Sequence, residues 1–230
     1  GISYIKGVGK YEALYGVNVR NELRQRISTS SGLTFVENFD IFFENDTRLF
    51  ALGWYVSNKG LHHKRVMFVT LGTGVGSAFI ENGKLVTQGD DVPPGGYIYN
   101  HEFQGRTIED TFSSRGILSL AKEKGLKNTE SVKELSEQAE LGNPVAIELF
   151  RQYGRELGEA LAPIIERFKA DALVIGGQIA KSSNLFLEEL KKALQGSSVN
   201  IAIAEDSHLF TFIGAYTFFI EKRAARGRTV

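Results

Sequence analysis

Between Phe68 and Val86 the chain reads FVTLGTGVGSAFIENGKLV, two runs of β-formers around a glycine cluster, with Asn82-Gly83 close behind. That order leaves few options. Asn-Gly between short apolar runs is the strongest local hairpin signal, because both residues tolerate the positive φ of a type I′ turn. The residues after the glycines are therefore strand, and Gly72 to Gly76 form the tip of a strand–turn–strand unit. A dinucleotide fingerprint, whose glycines must open a helix, is excluded. So is a Walker A loop: no Lys follows this cluster, and the earlier Gly9-Lys10 runs on into Tyr11. Two readings of the tip remain. The glycines either supply positive φ in a tight turn, or leave room for an anion to meet converging main-chain N–H groups. Thr73, set among three glycines at the mouth of the apolar strand RVMFVTL, favours a bound phosphate if a second half-site exists.

The rest of the chain alternates helix and strand signals. Val17 to Ile27 has apolar residues at helical spacing, with Val17 or Asn21 near its start, and Thr34 to Phe43 is a strand-like apolar run. Glu44-Asn45-Asp46 can cap the helix begun by TRLFALGWYV. A polar connection around Gly60 leads to the strand Arg65 to Leu71. Asn143 caps and Pro144 opens a long amphipathic helix to Phe168, with a kink expected at Pro163. Ala172 to Ile175 is a short strand ending in Gly176-Gly177. A helix from Phe186 to Leu194, a strand from Val199 to Ala204 and a closing helix from Phe210 to Ala224 complete a mixed α/β pattern.

Composition narrows the function classes. The 230 residues carry 27 basic and 27 acidic side chains, so no whole-molecule charge argues for nucleic acid as a partner. Cys is absent, which removes disulfides and thiolate metal sites and fits a cytoplasmic protein. No apolar run approaches a membrane span. His62-His63 reads as a surface pair, and His208 carries no signal of its own.

Taken together, Glu44-Asn45-Asp46 before its helix, the LGTGVG tip with its Asn-Gly hairpin, Thr107-Ile108-Glu109-Asp110 leading into FSSRGI, ALVIGGQIA at Ala172 to Ala180 and Ile213-Gly214-Ala215 resemble the ROK family of the actin-like ATPase superfamily. The resemblance covers most of the chain. It implies an α/β fold of two lobes, each with a ribonuclease H-like sheet, and ATP with Mg2+ and a sugar in the cleft. The first part of the N-terminal lobe is expected to be missing here. Residues 1–56 would be its remainder, 57–208 the C-terminal ATPase lobe, and 209–230 a closing helix packing back toward the N-terminal lobe. Carried over by position, Asp46 is the catalytic base and Asn45 a sugar-hydroxyl ligand. Gly72, Thr73, Gly74 and Gly76 form a phosphate loop, Glu109 binds sugar, and Gly176 and Gly177 line the adenosine side. Those residue types suit phosphoryl transfer, which demands positioning and charge neutralisation more than covalent help.

Three departures from the family pattern set further expectations. An Asp-Gly-rich phosphate loop should lie ahead of Gly1, so this segment is expected to bind nucleotide poorly or not at all. The family's Gly-Glu-x-Gly-His stretch corresponds to Gly96-Tyr97-Ile98-Tyr99-Asn100-His101, with Tyr97 for the Glu and His101 one residue late as a candidate sugar ligand. Gln104-Gly105-Arg106 stands where many members hold a Cys-rich zinc loop, so no structural zinc is expected. The resemblance thus implies a glucokinase-type hexose kinase, acting as a homodimer without nucleic acid or membrane contacts in this portion. The alternatives are a non-catalytic sugar-sensing regulator of the same family and, on Tyr97 alone, a degenerate carbohydrate-binding domain.

Overall fold

The computed structural model describes residues 14–30, 39–58, 63–126 and 128–227. The chain divides into two compact units, Gly1–Phe43 and Glu44–Val230. In the first, helix α1 (Val19–Thr29) is capped by Asn18, whose side chain accepts from the Asn21 N–H at 3.2 Å. The expected strand at Thr34 to Phe43 is not seen where it can be judged: residues 39–43 form no strand, and residues 34–38 lie outside the described residues. The carbonyls of Phe39 and Ile41 instead accept from the guanidinium groups of Arg24 and Arg20. Those arginines also stand over the rings of Phe39 and Phe43.

The second unit opens with α2 (Asp46–Ser57). A hairpin of β1 (Arg65–Leu71), β2 (Val75–Glu81) and β3 (Lys84–Val86) comes next. Asn82 and Gly83 have φ of 48° and 82° in the turn between β2 and β3, as a type I′ hairpin requires. A second small hairpin, β4 (Glu102–Phe103) and β5 (Arg106–Thr107), turns at Gln104-Gly105 in the same way. Then come α3 (Ile108–Phe112), α4 (Ser114–Glu123), α5 (Val132–Glu140), α6 (Pro144–Phe168), β6 (Ala172–Gly176), α7 (Ser183–Ala193), β7 (Asn200–Ile203) and α8 (Ser207–Ala225).

The main sheet has the order β3-β2-β1-β6-β7, with β1 antiparallel to β2 and parallel to β6. Alternate residues of each strand serve opposite faces. Val66, Phe68, Ala78, Ile80 and Val174 pack under Phe50 and Trp54 of α2. Met67, Val69, Leu71, Phe79, Leu173 and Ile175 face the larger core built by α3 to α7. Burial on both faces explains why β1 and β6 read as continuous apolar runs rather than alternating ones.

Helices cover both faces of this sheet. On the larger-core side Asn143 caps α6 and Pro144 begins it, and the helix continues for 25 residues with Pro163 inside it. Pro163 and Glu159, whose carbonyl loses its helical donor, are both exposed, so water can satisfy that oxygen. On the other face α2 and α8 approach backbone to backbone. A Cβ on Gly53 would lie 1.8 Å from the Phe210 carbonyl oxygen, and one on Gly214 would lie 1.7 Å from that of Leu49. Only glycine fits at this crossing. Among the described residues no helix is long and apolar enough to span a membrane.

Candidate active site

Parallel pairing of β1 with β6 brings Thr70 beside Gly176, so the loops leaving both strands open at the same sheet end. Ligands in α/β folds bind at such carboxyl ends. Here a crevice of about 930 Å³ is lined by the N-terminus of α2, the tip between β1 and β2, Gly177 after β6, and the N-terminus of α8.

The tip is Gly72-Thr73-Gly74, closed by the Gly72 N–H donating to the Gly74 carbonyl at 3.0 Å. None of these glycines has positive φ, so turn conformation is not what selects them. Space is. A Cβ on Gly76 would sit 2.0 Å from Thr47 Oγ1, and one on Gly74 would sit 2.8 Å from Glu109 Oε2. A Cβ on Gly72 would meet nothing within 4 Å, because that position faces the opening. The tip is pinned from both sides. The Gly72 carbonyl accepts from the N–H of Ser114 at 2.7 Å and from its hydroxyl at 2.9 Å, and the Val75 N–H donates to Glu109 Oε2 at 3.2 Å. The N–H groups of Thr73 and Gly74 have no acceptor among the described residues. Two unengaged donors beside a Cβ-free opening suit a phosphate oxygen.

Asn45 and Asp46 reach the crevice from the start of α2. The Asn45 side-chain oxygen accepts from the N–H groups of Thr47 and Arg48 at 3.0 and 3.3 Å, so this residue is the helix cap. Its amide nitrogen has no partner among the described residues. Asp46 accepts from the Thr47 N–H through Oδ1 at 2.8 Å, leaving Oδ2 without one among the described residues. Thr47 is buried, and its hydroxyl meets that of Thr70 at 2.9 Å. This hydroxyl pair ties the α2 N-terminus to the end of β1 and fixes Asp46 relative to the tip.

At the other end, Gly177 has φ of 93°, and a Cβ there would lie 2.4 Å from the Leu71 carbonyl oxygen. Its N–H donates to Ser207 Oγ at 2.8 Å, which joins β6 to the start of α8.

The crevice therefore brings together Asn45, Asp46, Gly72, Thr73, Gly74, Gly76, Glu109 and Gly177. It does not bring Gly176 or His101 to its lining. Gly176 lies beneath, with Phe50 and Ser207 occupying the space a side chain would take. His101 is half-buried, its N–H donating to Ile98 and its carbonyl accepting from Ile108. Tyr97 is held by Arg48, which donates to its hydroxyl at 3.3 Å, stands over its ring and pairs with Glu44 at 3.0 Å. Sequence reasoning missed Gln178, Lys181, Glu205, Asp206, Ser207, His208 and Thr211. The signal was available: each closely follows β6 or β7, at the sheet end that carries the glycine tip. Among the described residues no three His, Cys, Asp or Glu side chains come together as a metal-holding group.

The family model for the ROK family matches residues 21–215. A glucokinase of Streptomyces coelicolor is 26% identical over 196 residues, spanning 74% of this chain and 60% of its own length. Among solved structures, a ROK family glucokinase from Streptomyces griseus in complex with glucose and AMPPNP has a TM-score of 0.68 at 22% identity, covering 86% of this chain and 71% of that one. A ROK family transcriptional regulator, a homologue of the E. coli MLC protein, has a TM-score of 0.61 at 18% identity, covering 74% of this chain and 50% of that one. The chain thus spans about three-fifths of the S. coelicolor relative. The fold shared with these structures is the mixed α/β actin-like ATPase fold.

Proposed function

The chain belongs to the ROK family, and from that membership and the crevice geometry we propose that the whole protein is an ATP-dependent hexose kinase of glucokinase type. Bound ATP would supply the phosphoryl group, and Mg2+ would be held chiefly through phosphate oxygens. The residues of this chain do the rest. The free N–H groups of Thr73 and Gly74 take phosphate oxygens, with Gly72 and Gly76 leaving the approach clear. The unengaged Asn45 amide binds a sugar hydroxyl as donor. Asp46 accepts the proton of the attacking hydroxyl, a role worth roughly 10²–10⁴ in rate. Glu109 binds sugar with the oxygen not committed to Val75. Gly177 lines the nucleoside end, with Gly176 supporting it from below, and His101 contacts sugar only if its loop shifts toward the crevice. The proposal extends to a cytoplasmic homodimer, for which the exposed Leu209, Phe212 and Tyr216 of α8 supply apolar surface.

The observation that carries this reading is the shared crevice: Asp46 and Thr73 line one opening, the first with a carboxylate oxygen and the second with an N–H that are unengaged among the described residues. Its test is a panel of hexoses with ATP and Mg2+. The whole protein should form sugar phosphate, and Asp46→Asn should abolish turnover while leaving hexose binding within a few-fold. No turnover on any hexose would refute the kinase. Hexose binding without turnover would favour the second reading, a sugar-sensing regulator. The likeness to a ROK regulator supports that alternative, as does Tyr97 standing where the family's Glu is expected.

A further inference from the structure

We propose that Lys181 is the side chain that neutralises the phosphates of the bound donor, an inference that rests on the crevice being a phosphoryl-donor site. Among the described residues Lys181 is the only Lys or Arg lining the crevice, which also holds the carboxylates of Asp46, Glu109, Glu205 and Asp206. A polyanion entering such a site is repelled by those carboxylates, and a free cation in the same opening offsets part of that repulsion. Lys181 is free: its ammonium makes no hydrogen bond or ion pair among the described residues, despite four carboxylates in the same opening.

Its position is set by packing. It lies on the short 3-10 turn Ile179–Ser182, whose Ile179, Ala180 and Ser182 are buried and leave Lys181 as the exposed member. That turn starts directly after Gln178. Two residues before it, Gly177 packs against Leu71, the last residue before the glycine tip. The ammonium, carried on a flexible four-carbon stem, therefore shares one crevice with the two N–H groups of the tip that are unengaged among the described residues. A Lys binds phosphate as a point charge, whereas the main-chain amides give direction. The two together make a site that neither makes alone.

The test titrates the 15N-labelled chain with Mg·ATP, inorganic tripolyphosphate and adenosine, following the Thr73 and Gly74 amide resonances, which report millimolar as well as tighter binding. Lys181→Met should weaken ATP and tripolyphosphate by about tenfold, the low end expected for a lost charge-assisted contact open to solvent. Adenosine affinity should not change, and Lys181→Arg should stay within about threefold of the parent. Lys181 is exposed and its ammonium makes no hydrogen bond or ion pair among the described residues, so unchanged amide spectra of the free variants serve as the folding control. Equal ATP affinity in the parent and Lys181→Met would overturn this inference and leave the kinase reading standing. Tripolyphosphate binding that depends on Lys181, without ATP binding, would uphold the anion site and sink ATP as donor. A parent chain that binds neither anion overturns the inference outright.

Discussion

Replacing Gly214 by Ala sets two effects of opposite sign against each other. In a helix interior the change gains about 1 kcal/mol from propensity. At this crossing it also places a methyl 1.7 Å from the Leu49 carbonyl oxygen, 2.6 Å from its carbon and 2.9 Å from the Gly53 nitrogen. All three are backbone atoms inside α2, so no side chain can swing aside. Ordinary van der Waals contact begins at 3.4 Å, so α2 and α8 must part there. Overpacking typically costs about 1–3 kcal/mol and here belongs at the upper end. The same parting thins the ring contact of Phe50 on α2 with Phe210 on α8, at 6.3 Å. The net expectation is a loss of about 2 kcal/mol, which at a urea slope of about 2 kcal/mol/M lowers the midpoint by about 1 M. Trp54 is the only tryptophan, lies on α2 and is 5% exposed, so its fluorescence reports this transition. A midpoint equal to or above the parent's would refute the reasoning, because propensity would then outweigh a contact claimed to be unyielding.

Two further outcomes concern side chains away from the crevice. Tyr153→Phe removes the hydroxyl that donates to the Phe112 carbonyl at 2.9 Å inside the core, where burial also pushes the phenol well above its ordinary pKa. Leaving that carbonyl unpaired should lower stability by about 1–3 kcal/mol in the same urea assay, and an unchanged midpoint would show the oxygen is satisfied otherwise. The Asp110 carboxyl is held below its ordinary 3.8 by the Thr107 hydroxyl first and by Arg115 second. A depressed folded pKa stabilises above 3.8 and is lost as pH falls below it, so Asp110→Asn should flatten the acid limb of stability, and an NMR titration placing Asp110 at or above 3.8 would contradict this.

What could be read from the residues was whatever depends on neighbours in sequence. Asn-Gly announced the β2–β3 hairpin, Asn45 and Asn143 announced their caps, and RVMFVTL announced a central strand, because each signal is satisfied within a few residues. What could not be read depends on long-range pairing. Gly74 and Gly76 look like turn residues, yet they are glycine because Glu109, Thr47 and Thr70 arrive from elsewhere and take the space. Lys181 and Ser207 are marked only by following β6 and β7, and it takes the parallel registers of Thr70 with Gly176 and of Ile175 with Ile203 to deliver them to the crevice. The apolar run ending at Phe43 suggested a strand, but guanidinium groups took two of the carbonyls a ladder would have used.

Gly72 separates two demands that most residues must meet together. With ordinary φ and empty space where a methyl would go, the folded state is indifferent to a larger residue there. A substitution at that point would pass through expression, solubility and melting screens unnoticed, and purifying selection could see it only through the molecule meant to occupy the opening. Drift at Gly72 among natural variants of this chain would therefore mark copies that have given up that occupant while keeping their architecture intact.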